Sequence, residues 1–128
     1  MTTTLRIKAG PLIVEAWLND SHTAQAIAAA LPIKGKANCW GDEIYFRVPV
    51  KKEAIADARA EMDVGELAYW PPGQAFCIFF GPTPASSDKR PQAASPANPI
   101  GRILGDASLF REIASGAEVI VEKTWISH

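Results

Sequence analysis

Apolar and polar positions alternate in short runs along most of the chain. Leu5, Ile7 and Ala9 alternate with Arg6 and Lys8 as in a half-buried strand, and Gly10-Pro11 turns the chain back into IVEAWL, an opening hairpin. The polar cluster Asn19-Asp20-Ser21 can cap a helix. Ala24, Ile27, Ala28 and Leu31 then recur on one helical face until Pro32 ends the run. KANCW and EIYFRVPV flank a Gly41-Asp42 turn, so a second hairpin is predicted, with Ile44, Phe46, Val48 and Val50 on one face and Glu43, Tyr45 and Arg47 on the other. KKEAIADARAEMDV mixes alanine and charge and runs into Gly65; a helical turn, an irregular segment and an edge strand all fit it.

LAYW and AFCIFF form a third hairpin around Pro71-Pro72-Gly73, where proline presets φ and glycine is expected to supply the left-handed position. Residues 82–99 hold five of the ten prolines, so a long surface loop is expected, least ordered over about 83–97 because it offers little apolar area. NPIGRILG predicts a short strand. Asp106 caps a helix in ASLFREIAS, with Leu109, Phe110, Ile113 and Ala114 on one side, and AEVIVEKTWI closes the chain as an alternating strand. Seven or eight hairpin-linked strands, two small helices and no βαβ rhythm indicate a mainly β fold, a closed antiparallel barrel capped by helices. Such a barrel places Ile44, Phe46, Val48, Ile120 and one member of each of the pairs Tyr69/Trp70 and Phe79/Phe80 inside.

A chain of 128 residues fits one domain, taken as residues 1–128. Thirteen Lys and Arg against fourteen Asp and Glu leave a net charge of −1, which offers no footprint for nucleic acid or anionic membranes. No stretch approaches the roughly 18 apolar residues of a membrane span or the core of a signal peptide, so a cytoplasmic location is expected. Cys39 and Cys77 each sit in an apolar stretch without metal-ligand spacing and are expected as buried free thiols.

Four segments carry a resemblance: GDEIYFRVPV, DVGELAYWPPGQAFCIFFGPTP, NPIGRILGD and GAEVIVEK. In that order and at those separations, the chain resembles the small cyclophilin-like proteins of bacteria and archaea. The resemblance implies a closed eight-stranded cyclophilin-type β-barrel with a helix near each end. True cyclophilins are peptidyl-prolyl isomerases marked by a Phe-His-Arg stretch, a downstream glutamine and an Asn-Gly-Ser-Gln-Phe-Phe stretch. Here Tyr45-Phe46-Arg47 lacks the histidine, FCIFFG keeps only an aromatic pair, and the Asn-Gly-Ser-Gln run is missing. An isomerase needs a donor beside a bound proline, for which Arg47 and Arg102 are the candidates; without their usual neighbours, no appreciable isomerase activity is expected.

Other chemistry finds little support. His22 and His128 are too isolated for a metal centre or a Ser-His-Asp set, no phosphate-binding glycine motif occurs, and no cofactor is implied. The surplus is aromatic: Trp17, Trp40, Tyr45, Tyr69, Trp70, Phe79, Phe80 and Trp125. Alternation sends one member of each adjacent pair outward, and the outward rings suggest a groove for a small molecule or short peptide. Its candidate residues are Glu43, Tyr45, Tyr69, Trp70, Pro72, Phe79 and Arg102. A weak isomerase is the rival reading, and a homo-oligomer held together by the outward rings is a third.

Overall fold

A computed structural model describes residues 3–124, so Trp125 and His128 lie outside the described residues. Ten strands form, β1 (Thr3–Ala9), β2 (Leu12–Leu18), β3 (Ile33–Lys36), β4 (Asn38–Cys39), β5 (Glu43–Arg47), β6 (Arg59–Glu61), β7 (Glu66–Trp70), β8 (Ala75–Phe79), β9 (Gln92–Leu104) and β10 (Glu118–Lys123). The three predicted hairpins are present as β1–β2, β4–β5 and β7–β8. Helix α1 (His22–Ala30) starts where Ser21 Oγ accepts from the Ala24 N–H, as the polar cluster predicted.

The sheet differs from a closed eight-stranded barrel. Its order is β3-β10-β1-β2-β9-β7-β8-β5-β4, with β6 attached to β9, and no ladder joins the β3 and β4 ends. Only Ala37 separates those two strands in the chain, too short a connection for them to turn and pair with each other. The Phe46 ring of β5 instead packs close over Gly35 of β3, where an added Cβ would lie 2.9 Å from the ring. The curled sheet encloses one large core, including Leu5, Ile7, Ile27, Phe46, Tyr69, Phe76, Phe80 and Phe110.

Several inward positions differ from the sequence reading. Val119 and Val121 face the core while Ile120 is only partly buried, a one-residue register difference that flips the strand's faces. Phe79 and Phe80 are both buried, because Phe79 faces a second apolar cluster on the other side of the sheet. Cys77 is buried, whereas Cys39 is exposed on the short β4. ASLFREIAS makes a 3-10 turn over Ala107–Glu112, a tighter winding that leaves Leu109 and Ala114 exposed while Phe110 and Ile113 stay buried. In the β7–β8 turn the left-handed residue is Gln74, at φ 51°, not Gly73. Gly73 is needed for space, since a Cβ there would sit 2.7 Å from the Trp70 ring.

The largest departure lies in residues 82–99. Their second half is not a loop but the start of β9, whose ladder runs from Gln92 through Leu104. This segment pairs with β6, so KKEAIADARAEMDV resolves into an irregular stretch ending in an edge strand. Buried Asn98 ties the two together: its Nδ2 donates to the Glu53 carbonyl and to Thr23 Oγ1, and its Oδ1 accepts from the Ile55 N–H. Slow amide exchange over Gln92–Leu104 is the outcome this pairing implies.

Tyr69 anchors the same irregular stretch from inside the core. Its hydroxyl donates to the Val50 carbonyl at 2.7 Å and accepts from the Lys52 N–H at 3.1 Å. Tyr69→Phe strands both backbone groups and is expected to cost about 2 kcal/mol in denaturant unfolding, at the upper side of what a lost buried hydrogen bond costs. An unchanged unfolding midpoint would show that the hydroxyl contributes nothing there.

Candidate functional site

Strand alternation builds two faces on the β5-β8-β7 part of the sheet. Ile44, Phe46, Phe76, Ile78, Leu67 and Tyr69 point into the main core. Their neighbours point to the opposite face, where Tyr45 stands opposite Cys77 and Glu43 opposite Phe79 in the ladder. On an ordinary half-buried sheet that second face meets water. Here the start of β9 and Met62 lie across it, closing a small second core of Met62, Ala68, Ala75, Cys77, Phe79, Ala93 and Ala97.

This first part of β9, a strap over the sheet, covers the face incompletely. A cleft of about 270 Å³ remains, lined by Trp40, Glu43, Tyr45, Trp70, Ala93 and Ala94. Trp70 is held in orientation by its indole N–H, which donates to Ser95 Oγ at 2.8 Å, so its polar edge is satisfied while its ring lines the cleft. Trp40 is placed by the β4–β5 turn, where its N–H donates to the Glu43 carbonyl at 2.9 Å.

Glu43 sets the electrostatics. Its residue is only 5 % exposed, and among the described residues no Lys, Arg or His forms an ion pair with it. Burial raises its pKa from 4.5 to about 7, opposed weakly by the neighbouring Cys77 thiol. Cys77 also has the Ala75 carbonyl as an acceptor, at 3.8 Å. Burial and the neighbouring Glu43 charge push the Cys77 thiol well above its ordinary range, so it stays protonated and is a poor nucleophile.

Of the seven residues proposed from the sequence, the cleft gathers Glu43, Tyr45 and Trp70. Tyr69 is fully buried on the opposite face of β7, as alternation requires of a neighbour of Trp70. Phe79 is sealed in the second core. Pro72 lines a different depression, about 640 Å³, among Arg47, Lys51, Lys52 and Gln74. Arg102 is turned to Asp63, at 3.0 Å, away from the cleft. Asp63 takes Arg102, while Glu66 is bound by Arg59. Sequence reasoning missed Ala93 and Ala94, which carry no chemical signal, and counted Trp40 only among the aromatic surplus.

Residues 3–122 match the family model described as cyclophilin-like. The chain belongs to the cyclophilin-like family. A similar solved structure, a hypothetical protein from Archaeoglobus fulgidus determined in solution, is 42% identical over 95% of each chain, with a TM-score of 0.80. Among curated proteins, no sequence matches significantly. No helix among the described residues is long and apolar enough to cross a membrane, and no group of three metal-ligating side chains occurs among them.

Proposed function

We propose that this cyclophilin-like chain is a single binding domain that takes a small molecule or a short peptide in the cleft of Trp40, Tyr45 and Trp70, without isomerase catalysis. The observation that carries this reading is a cleft with aromatic walls and one buried carboxyl, Glu43, at its edge. Ligand sites combine apolar walls with a few placed polar groups, commonly in about 300–1,000 Å³, so this cleft suits a small ligand or one side chain. The larger depression near Pro72 is bounded by exposed, charged chains that solvate well without a ligand.

Isomerase chemistry requires a donor in the groove, and no arginine lines the aromatic cleft. The outward rings that suggested an interface between copies are drawn into the cleft or sealed under the strap, which favours ligand binding over assembly. A thermal-shift screen of small molecules and short peptides is expected to yield stabilisers that move the Ala93 and Ala94 amide resonances and lose their effect on Trp70→Ala. Stabilisers that leave those amides unmoved would sink the reading. A proline-containing test peptide should isomerise at the uncatalysed rate with the parent, Arg47→Ala and Arg102→Ala alike. A parent rate near that of cyclophilins, abolished by either substitution in a protein that still folds, would establish the rival.

A further inference from the structure

A carboxyl largely removed from water without a cation beside it is an incomplete pair, and Glu43 is such a group in the wall of an open cleft. Three aromatic residues, Trp40, Tyr45 and Trp70, line the same space. Aromatic faces attract cations through the ring quadrupole, most strongly for tryptophan, and an alkylammonium group satisfies rings and carboxylate together. A carboxylate ligand would meet Glu43 as a like charge, and a neutral apolar ligand would leave its ionised form unpaired. Resting on the reading of the cleft as a ligand site, the geometry points to a small organic ammonium headgroup as its occupant, seated among Trp40, Tyr45 and Trp70 with its charge against Glu43.

The volume agrees with a headgroup of this size: about 270 Å³ holds a trimethylammonium and a short chain but not a nucleotide. The Trp70 N–H is already bonded to Ser95, which leaves its apolar ring as its means of contact. Binding such a cation favours the ionised carboxyl, so proton release from Glu43 accompanies it. With Glu43 titrating at about 7 in the empty site, affinity rises with pH across neutrality. The other titratable groups facing Glu43 are Tyr45 on its own strand and the Cys77 thiol on β8; Trp70 on β7 and Ala93 and Ala94 on β9 are uncharged, and Asp42 is turned to Arg111 at 3.2 Å.

The test titrates the full chain with choline, with tetramethylammonium and with 3,3-dimethylbutan-1-ol, the uncharged isostere of choline, following tryptophan fluorescence and heat. At about pH 8 choline is expected to bind at least about tenfold tighter than the isostere, and its affinity should fall about tenfold towards pH 6, as for one group titrating near neutrality, while the isostere's does not change. Glu43→Gln should abolish both the preference and the pH dependence. Trp40→Leu, which keeps the carboxyl, should weaken choline severalfold, and it tests the inference even if the first variant misfolds. A trimethyllysine peptide separates the two sources of the headgroup: tighter binding than choline assigns it to a side chain, equal or weaker binding to a free molecule, and both uphold the ammonium class. Equal binding of choline and its isostere, or a preference surviving Glu43→Gln, overturns the ammonium class while leaving a ligand site. Failure of both cations while other screened compounds move Ala93 and Ala94 overturns it likewise; absence of any compound from the cleft overturns both readings.

Discussion

Gly101→Ala is expected to lower stability by at least about 3 kcal/mol, a large share of the roughly 5–15 kcal/mol that holds a domain folded. Gly101 is the residue of β9 that faces Leu18 of β2 on one side and Leu67 of β7 on the other. A Cβ there would stand 1.9 Å from the Trp17 carbonyl oxygen and 3.0 Å from the Leu18 Cα. Both are backbone atoms held in ladders, so no rotamer change relieves the clash and two strands must separate. The β7–β9 register also shifts between Leu67 and Ala68, beside this position, which marks where β9 leaves the main sheet to become the strap. Gly105→Ala is the matched control: it has open space around it and only a left-handed φ of 93° to strain, so it should cost about 1 kcal/mol. Denaturant unfolding of both variants checks this, and a Gly101→Ala midpoint equal to that of the parent would refute the close approach.

Glu43→Gln is expected to stabilise the protein by about 3 kcal/mol above neutral pH and to have little effect near pH 4. The folded pKa of about 7 lies above the unfolded value of 4.5, so the folded state holds the proton more tightly. Stability from this group is therefore fully present below about pH 4.5 and is lost as pH rises towards 7. The difference of about 2.5 units corresponds to about 3 kcal/mol, since one unit is about 1.4 kcal/mol. Glutamine keeps the shape without the charge, so its advantage should open over that same window. Unfolding free energies of parent and variant measured at several pH values give the comparison directly. A difference that stays constant with pH would mean that Glu43 is solvated and ordinary. A destabilising buried charge at an open cleft is the stability cost that the proposed ligand site would impose on the fold.

The site was legible in part, and the division follows strand geometry. Period-two alternation put Glu43 and Tyr45 on one face of β5, and it required one of Tyr69 and Trp70 to face outward; both hold in the structure. Alternation did not say which member of the pair was outward. That depends on register against β8, where Trp70 stands opposite Ala75 and Tyr69 opposite Phe76. Phe79 escaped the either-or altogether because both faces of its strand are covered, and that cover is the strap.

By itself the sequence determined the mainly β character, the three hairpins, a helix cap within Asn19-Asp20-Ser21, the Asp106 cap and the family, because each rests on local chemistry: alternation, turn residues, a side-chain oxygen near free N–H groups, or motifs in fixed order. Only the tertiary structure decided that the sheet stays open between β3 and β4, and that Gln92–Leu104 is one strand despite Pro96 and Pro99. The reason lies in pairing over long separations. Proline lacks an N–H but keeps its carbonyl, and the Pro99 carbonyl is taken by Asn19, eighty positions away in the chain. Once that strand crosses the outer face of β7 and β8, Ala93 and Ala94 become cleft walls and Glu43 loses its water, so the chemistry of the site belongs to the strap as much as to the residues beneath it.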